Sequence, residues 1–129
     1  MVDTKRELSR MKTAEQIFDE WASDARAARM GELHWPLVKQ GHALIPESSG
    51  AYLEVGVGNG YSLRAMATNQ YTKGRCLGID VSERMVALAR ETTADLNHVR
   101  VEVADFLEPQ TQLEGPYSAI FSMEVFYYF

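Results

Sequence analysis

The residues of this chain best suited to chemistry lie in AYLEVGVGNGYSLRAM, residues 51–66. There a run of β-formers carries an acid, Glu54, and then three glycines spaced two apart, Gly56, Gly58 and Gly60. Glycine admits positive φ and lets a ligand lie directly on the backbone, so a loop with three of them after a strand suits close approach. The spacing narrows the ligand. The dinucleotide fingerprint, G-x-G-x-x-G, would put its third glycine where this chain has Tyr61, whose ring would hold the helix off the strand and crowd a pyrophosphate. The phosphate-binding loop requires Gly-Lys-Ser/Thr, and none follows. The ligand expected is a nucleoside without phosphates.

Two more acids close strand-like runs. RCLGID ends in Asp80, 24 residues after Gly56. A carboxylate there can accept from both hydroxyls of a ribose and repels a 2′-phosphate. It could also cap the helix that follows, although Ser82 is placed for that role. VEVADFLE brings Asp105 beside Phe106, a pair suited to adenine: the acid accepts from the exocyclic amine and an apolar side chain packs on the ring. Taken alone, Asp105 reads as a solvated turn residue. A fourth run delivers Ser122, Met123 and Glu124 to the floor of the same site.

These residues need a scaffold, and the hydrophobic periodicity describes one. Residues 1 to 46 read as a helical cap segment: Ile17, Phe18 and Trp21 share one face, and Leu33, Leu37, Val38 and Leu44 form a second stripe after a break at Gly31. Residues 47–129 then alternate strand-like and helical runs. The order strand, helix, strand, helix, strand implies right-handed βαβ crossovers and a parallel sheet, with ligands beyond the carboxyl ends of the strands at the switch point. The helical run after Asp80 places Val81, Met85, Leu88 and Ala89 toward the sheet, with Glu83 and Arg90 matched to the two ends of the helix dipole.

Composition excludes several classes. At 129 residues the chain holds one domain of ordinary size. A net charge of −5 without a Lys/Arg run gives no footprint for nucleic acid or an anionic membrane. A lone cysteine, Cys76, forms no internal disulfide and no thiolate zinc site, which suits a cytoplasmic location, and no run is apolar for the roughly 20 residues that span a membrane. The chain closes on VFYYF, an aromatic edge that natural proteins usually blunt. We expect it to be covered by further strands of a longer protein, by self-association or by a partner chain.

In order and spacing these runs resemble the class I S-adenosylmethionine-dependent methyltransferases. LEVGVGNG is similar to the family's first motif, GIDVSERMVALAR to the second, VEVADFLE to the third and YSAIFSMEVFYYF to the fourth. The resemblance implies an α/β, three-layer Rossmann-like, doubly wound parallel sheet carrying strands one to four, with the later strands missing. It implies that Glu54 and the backbone of Gly56, Gly58 and Gly60 hold the methionine moiety of S-adenosylmethionine and Asp80 the ribose. Met85 would form an apolar side of the adenine, with Val81 also among the cofactor-binding residues; Asp105 and Phe106 would meet the adenine edge, and Met123 would lie in the loop below the sulfonium. The N-terminal segment is similar to the cap helices of methyltransferases with small-molecule acceptors. A hydroxyl or amine acceptor needs a base, for which His34, Glu124 and Tyr127 are candidates; a thiolate or stabilised carbanion needs none. Trp21 and Trp35 read as cap packing or as a shield for the cofactor. His42 and His98 fall in no pattern that assigns them a role, and no metal constellation is present.

Overall fold

The computed structural model describes residues 13, 16, 17, 26–108, 111 and 113–123. Phe18, Trp21, Glu124 and Tyr127 therefore lie outside the described residues, as does the VFYYF run. The elements are helix α1 (Arg26–Ala43), strand β1 (Tyr52–Val55), helix α2 (Tyr61–Asn69), strand β2 (Cys76–Asp80), helix α3 (Glu83–Thr92), strand β3 (Val99–Val103) and strand β4 (Ala119–Ser122). The sheet order is β3-β2-β1-β4, and every pairing is parallel. Leu53 aligns with Leu77 on one side and Ile120 on the other. The chain thus steps outward from β1 through β2 to β3 and then returns to the opposite flank of β1, which makes the carboxyl end of β1 the switch point of a Rossmann-like, doubly wound sheet.

β1 is central, and all four of its residues are buried. Its alternation divides the core in two. Tyr52 joins Leu63, Met66, Ala67 and Tyr71 of the α2 region, Val86 and Ala89 of α3, and Cys76 and Val101 of the neighbouring strands. Leu53 and Val55, with Ile79, face the other way, where Ala104, Phe106, Leu113 and Tyr117 cover them. Burying side chains such as Leu63 or Val86 completely contributes about 1.5–3 kcal/mol each.

The start of α3 follows the local rules closely. Ser82 sits in extended backbone, and its Oγ accepts from the Met85 amide at 3.1 Å. Met85, Val86 and Ala89 are its buried face: Met85 and Ala89 as expected, Val86 in addition, while Val81 and Leu88 are only half-buried. At the other end Arg90 Nε donates to the Val101 carbonyl at 2.9 Å, which ties the helix to β3.

The cap segment departs from expectation in two ways. α1 runs without interruption through Gly31 and through Pro36. One glycine costs a helix only about 1 kcal/mol, too little to break it where neighbouring turns are well formed. The leucine stripe also points outward: Leu33, Leu37 and Leu44 are 68%, 51% and 85% exposed, and only Val38 of that group is buried. The face that meets the core is instead Val38, Gly41, His42 and Ile45. Gly41 is what allows the approach, since a Cβ there would stand 2.8 Å from the ring of Phe121 on β4. Gln70 at the end of α2 locks the contact by donating to the carbonyls of His42, at 2.9 Å, and Ile45. Among the described residues no helix is long and apolar enough to cross a membrane.

Candidate functional site

The loop between β1 and α2 stands at the switch point, and its three glycines all have positive φ: 75° at Gly56, 56° at Gly58 and 89° at Gly60. Their tasks differ. At Gly60 an added Cβ would lie 2.8 Å from the Ala89 Cα, so this glycine lets the loop sit against α3. At Gly58 an added Cβ would meet nothing within 4 Å, so this glycine faces open space. The loop is fastened from beneath by the Ile79 carbonyl, which accepts from the Gly56 and Val57 amides at 2.9 and 3.0 Å. Gly78 in β2 makes room for it: a Cβ there would be 2.7 Å from Val57 Cγ2 and 2.8 Å from Leu63 Cδ2. Thr92 Oγ1 holds the far side by donating to the Asn59 carbonyl at 2.7 Å.

Asp80 closes the other wall. Its Oδ2 accepts from the Gly58 amide at 3.0 Å and its Oδ1 from the Ser82 amide at 3.0 Å. The carboxylate is thereby clamped between the glycine loop and the start of α3, 7% exposed. Ser82, not Asp80, provides the side-chain cap of α3.

Glu54 is the acid beneath the loop, 3% exposed. Both of its hydrogen bonds fall on Oε1, from Tyr52 Oη at 2.7 Å and from Ser62 Oγ at 2.7 Å. Burial pushes its carboxyl up to about 7, against the opposing pull of the Ser62 and Tyr52 hydroxyls. Burial, and then the charge of Glu54, raises the Tyr52 phenol in turn. The chain of contacts continues outward: Ser62 Oγ lies 2.9 Å from His42 Nε2 on α1, and burial lowers that imidazole below its ordinary value.

The remaining residues named from the sequence are placed as follows. Asp105 is exposed and acts in its own turn, with Oδ1 accepting from the Leu107 amide at 2.9 Å and its carbonyl accepting from Thr111 Oγ1 at 2.6 Å. Phe106 is half-buried against the Leu53, Val55 and Ile79 cluster. Met85 is buried in the first turn of α3. Met123 follows β4 and reaches toward α1, its Cε 3.9 Å from where a Gly41 Cβ would stand. His34 is half-buried on α1, two turns before His42. Glu124 and Tyr127 fall outside the described residues. Among the described residues no group of three or more His, Cys, Asp or Glu side chains could hold a metal ion.

Sequence reasoning missed Tyr52, Ser62 and His42. One signal was available: on a strand, residues two apart share a face, so Tyr52 had to accompany Glu54. The arrival of His42 from a separate helix left no local trace.

A glycine loop thus stands at the switch point with one acid under it and another across from it, and comparison with known proteins gives the chain a family. A family model for the methyltransferase domain matches residues 53–129. The chain belongs to the class I methyltransferases. Among solved structures, this methyltransferase domain is similar to a chain of the Haloferax volcanii complex between the Trm112 methyltransferase activator and its methyltransferase. The identity there is 32% and the TM-score 0.76, over 91% of this chain and 50% of that one. It is similar to PKMT2 from Rickettsia typhi in complex with AdoHcy at 26% identity and a TM-score of 0.54, over 63% of this chain and 16% of that one. Phosphoethanolamine N-methyltransferase 1 of Haemonchus contortus, in complex with phosphoethanolamine and S-adenosylhomocysteine, shares the fold at 15% identity. Its TM-score is 0.72, over 99% of this chain and 27% of that one. The methyltransferase domain thus spans half or less of the length of each of these chains. No curated protein matches it in sequence.

Proposed function

We propose that this methyltransferase domain binds S-adenosylmethionine across the carboxyl ends of β1 and β2 and serves a methyl transfer to a small-molecule acceptor. The observation that carries the reading is the clamp of Asp80 to the Gly58 amide beside open space over Gly58. It orients a carboxylate for two ribose hydroxyls where a backbone without side chains can lie against the methionine moiety. Glu54 fits the cofactor's ammonium: a buried acid held at about 7 gains its charge most readily when a cation arrives. Val81, Met85, Asp105 and Phe106 are assigned to the adenine side, and Met123 to the region below the sulfonium. For Asp105 this asks the turn that now occupies its carboxylate to share it or rearrange.

When bound, S-adenosylmethionine supplies a methyl group already activated on a sulfonium. The chain's own residues position and exclude water, and orientation of this kind is worth on the order of 7–11 kcal/mol in favourable cases. The glycine loop and Asp80 fix one end of the cofactor. α1, seated on Phe121 through Gly41 and His42, is assigned to the cap side of the crevice. His34, Glu124 and Tyr127 remain the candidate bases for an acceptor that must lose a proton. A cytoplasmic location belongs to this reading, supported by the free, buried Cys76.

A second reading is a chain that acts only with a partner or binds the cofactor without turnover. It is favoured by the activator complex found for the Haloferax volcanii protein and by the exposed Leu33, Leu37, Leu44 and Ile120. Calorimetric titration of the purified protein with S-adenosylmethionine, S-adenosylhomocysteine and NADH tests the proposal. Binding of the first two alone is expected. A folded protein that binds neither would overturn cofactor binding by this chain on its own and leave the partner-dependent reading.

A further inference from the structure

A line of side chains joins α1 to α2 and β1: His42 Nε2, Ser62 Oγ and Glu54 Oε1, with steps of 2.9 and 2.7 Å. A serine hydroxyl has one proton. With Glu54 ionised, its carboxylate takes that proton, and the bond between Ser62 and His42 is then donated by Nε2–H, which leaves Nδ1 as the bare nitrogen of the neutral ring. The ring is held from several sides. It packs edge-on against Phe121 at a centroid distance of 5.0 Å and against Trp35 at 6.3 Å, and the backbone carbonyl of His42 accepts from Gln70. The residue is 7% exposed.

We propose that His42 is a positioning residue for the Glu54 carboxylate. By donating to Ser62 it commits the hydroxyl proton to Glu54 Oε1, leaves Oε2 as the oxygen presented to the cofactor's ammonium, and so couples the seating of the cap helix to cofactor binding. The relay from His42 to Glu54 stands on the geometry alone, and its effect on the cofactor rests on the proposed function. The groups facing Glu54 are few. Tyr52 lies on its own strand and Ser62 on α2, and both are neutral donors. Cys76 on β2 has a thiol pushed up to about 11 by burial and by the charge of Glu54. His42 comes from α1, and the β4 residue in register with Glu54 is Phe121, which does not titrate. Since the Ser62 bond lowers the Glu54 carboxyl, disordering that hydroxyl must raise it.

The test follows the Glu54 carboxyl by carbon NMR in the ligand-free protein, labelled at glutamate side chains, alongside calorimetric titration with S-adenosylmethionine. The wild-type midpoint is expected near 7. His42→Ala and Ser62→Ala should each move it upward by a similar amount, and the double variant no further. His42→Gln, whose amide can donate to the same hydroxyl, should return it. The single alanine variants should weaken the cofactor roughly three- to tenfold at pH 7, the worth of one neutral hydrogen bond, with the difference shrinking by pH 9, where Glu54 is ionised in every variant. If His42→Ala does not fold, Ser62→Ala and His42→Gln carry the same comparison. A melting temperature that falls while the Glu54 midpoint stays put, or alanine effects that add, would overturn the proposal. Midpoints that shift in a protein that never binds S-adenosylmethionine would keep the relay and overturn the cofactor assignment. Binding with unmoved midpoints would do the reverse.

Discussion

Glu54→Gln should make this protein more stable and a poorer binder of its cofactor. Glutamine keeps the shape of the side chain and can still accept from Tyr52 and Ser62 through its carbonyl oxygen, so the packing around β1 is preserved. What changes is the charge. The Glu54 carboxyl moves from 4.5 to about 7 on folding, because burial disfavours the anion by more than two hydroxyl donors restore. An acid whose folded value is raised binds more protons folded than unfolded between those limits, so stability falls as pH rises through that window. At 1.36 kcal/mol per unit the penalty is about 3 kcal/mol, absent below pH 4.5 and complete above 7. Urea unfolding of both proteins from pH 4 to 8.5 measures it. The curves should coincide near pH 4 and separate steadily, with the glutamine variant ahead by up to about 3 kcal/mol at pH 8. Calorimetric affinity for S-adenosylmethionine should move the other way, by about 1.5–3 kcal/mol for the lost charged contact. A glutamine variant less stable at pH 8, or a gap that does not depend on pH, would refute the reasoning.

Three further outcomes are expected. Asp80→Ala should weaken S-adenosylmethionine binding by about 1.5–3 kcal/mol and also lower the melting temperature, because the Gly58 and Ser82 amides lose their acceptor; unchanged affinity in a folded variant would remove the ribose assignment. Gly58→Ala and Gly60→Ala should part company. The first should cost about 1–2 kcal/mol of stability for left-handed backbone and reduce cofactor affinity. The second should cost more than that, because its Cβ also strikes the backbone of Ala89; equal melting temperatures would contradict the division of labour between the two glycines. Leu44→Ser should leave the denaturant midpoint of the isolated protein within about 0.5 kcal/mol of wild type, since the side chain is 85% exposed.

The parts of the fold legible in the sequence were those governed by neighbours along the chain. The β1 loop, the alternation of strand and helix and the Ser82 cap all depend on residues within a few positions of one another, and spacing reports them directly. The orientation of α1 depends on something distant. Phe121 selects Gly41 and His42 as the face that docks, and that preference outweighs the leucine stripe on hydrophobicity alone. Asp105 shows a different limit: a carboxylate at a strand end reads the same whether it awaits a ligand or accepts from its own turn, as it does from Leu107. His42 was illegible because its meaning lies in Ser62, 20 residues away on another helix.

The order of the strands also sets the order of assembly. β2 can pair with β1 once the short α2 excursion is complete, but the other flank of β1 waits for β4, whose Ser122 Oγ donates to the Val55 carbonyl across 67 residues of sequence. On a ribosome, β1 therefore spends the synthesis of that whole interval with one row of backbone groups unpaired, its Leu53 and Val55 face lacking Tyr117. Because the glycine loop springs from this strand, the crevice is among the last features to mature. A nascent chain stalled before residue 119 would hold most of the residues proposed for the cofactor site in sequence and none of them in a finished cleft.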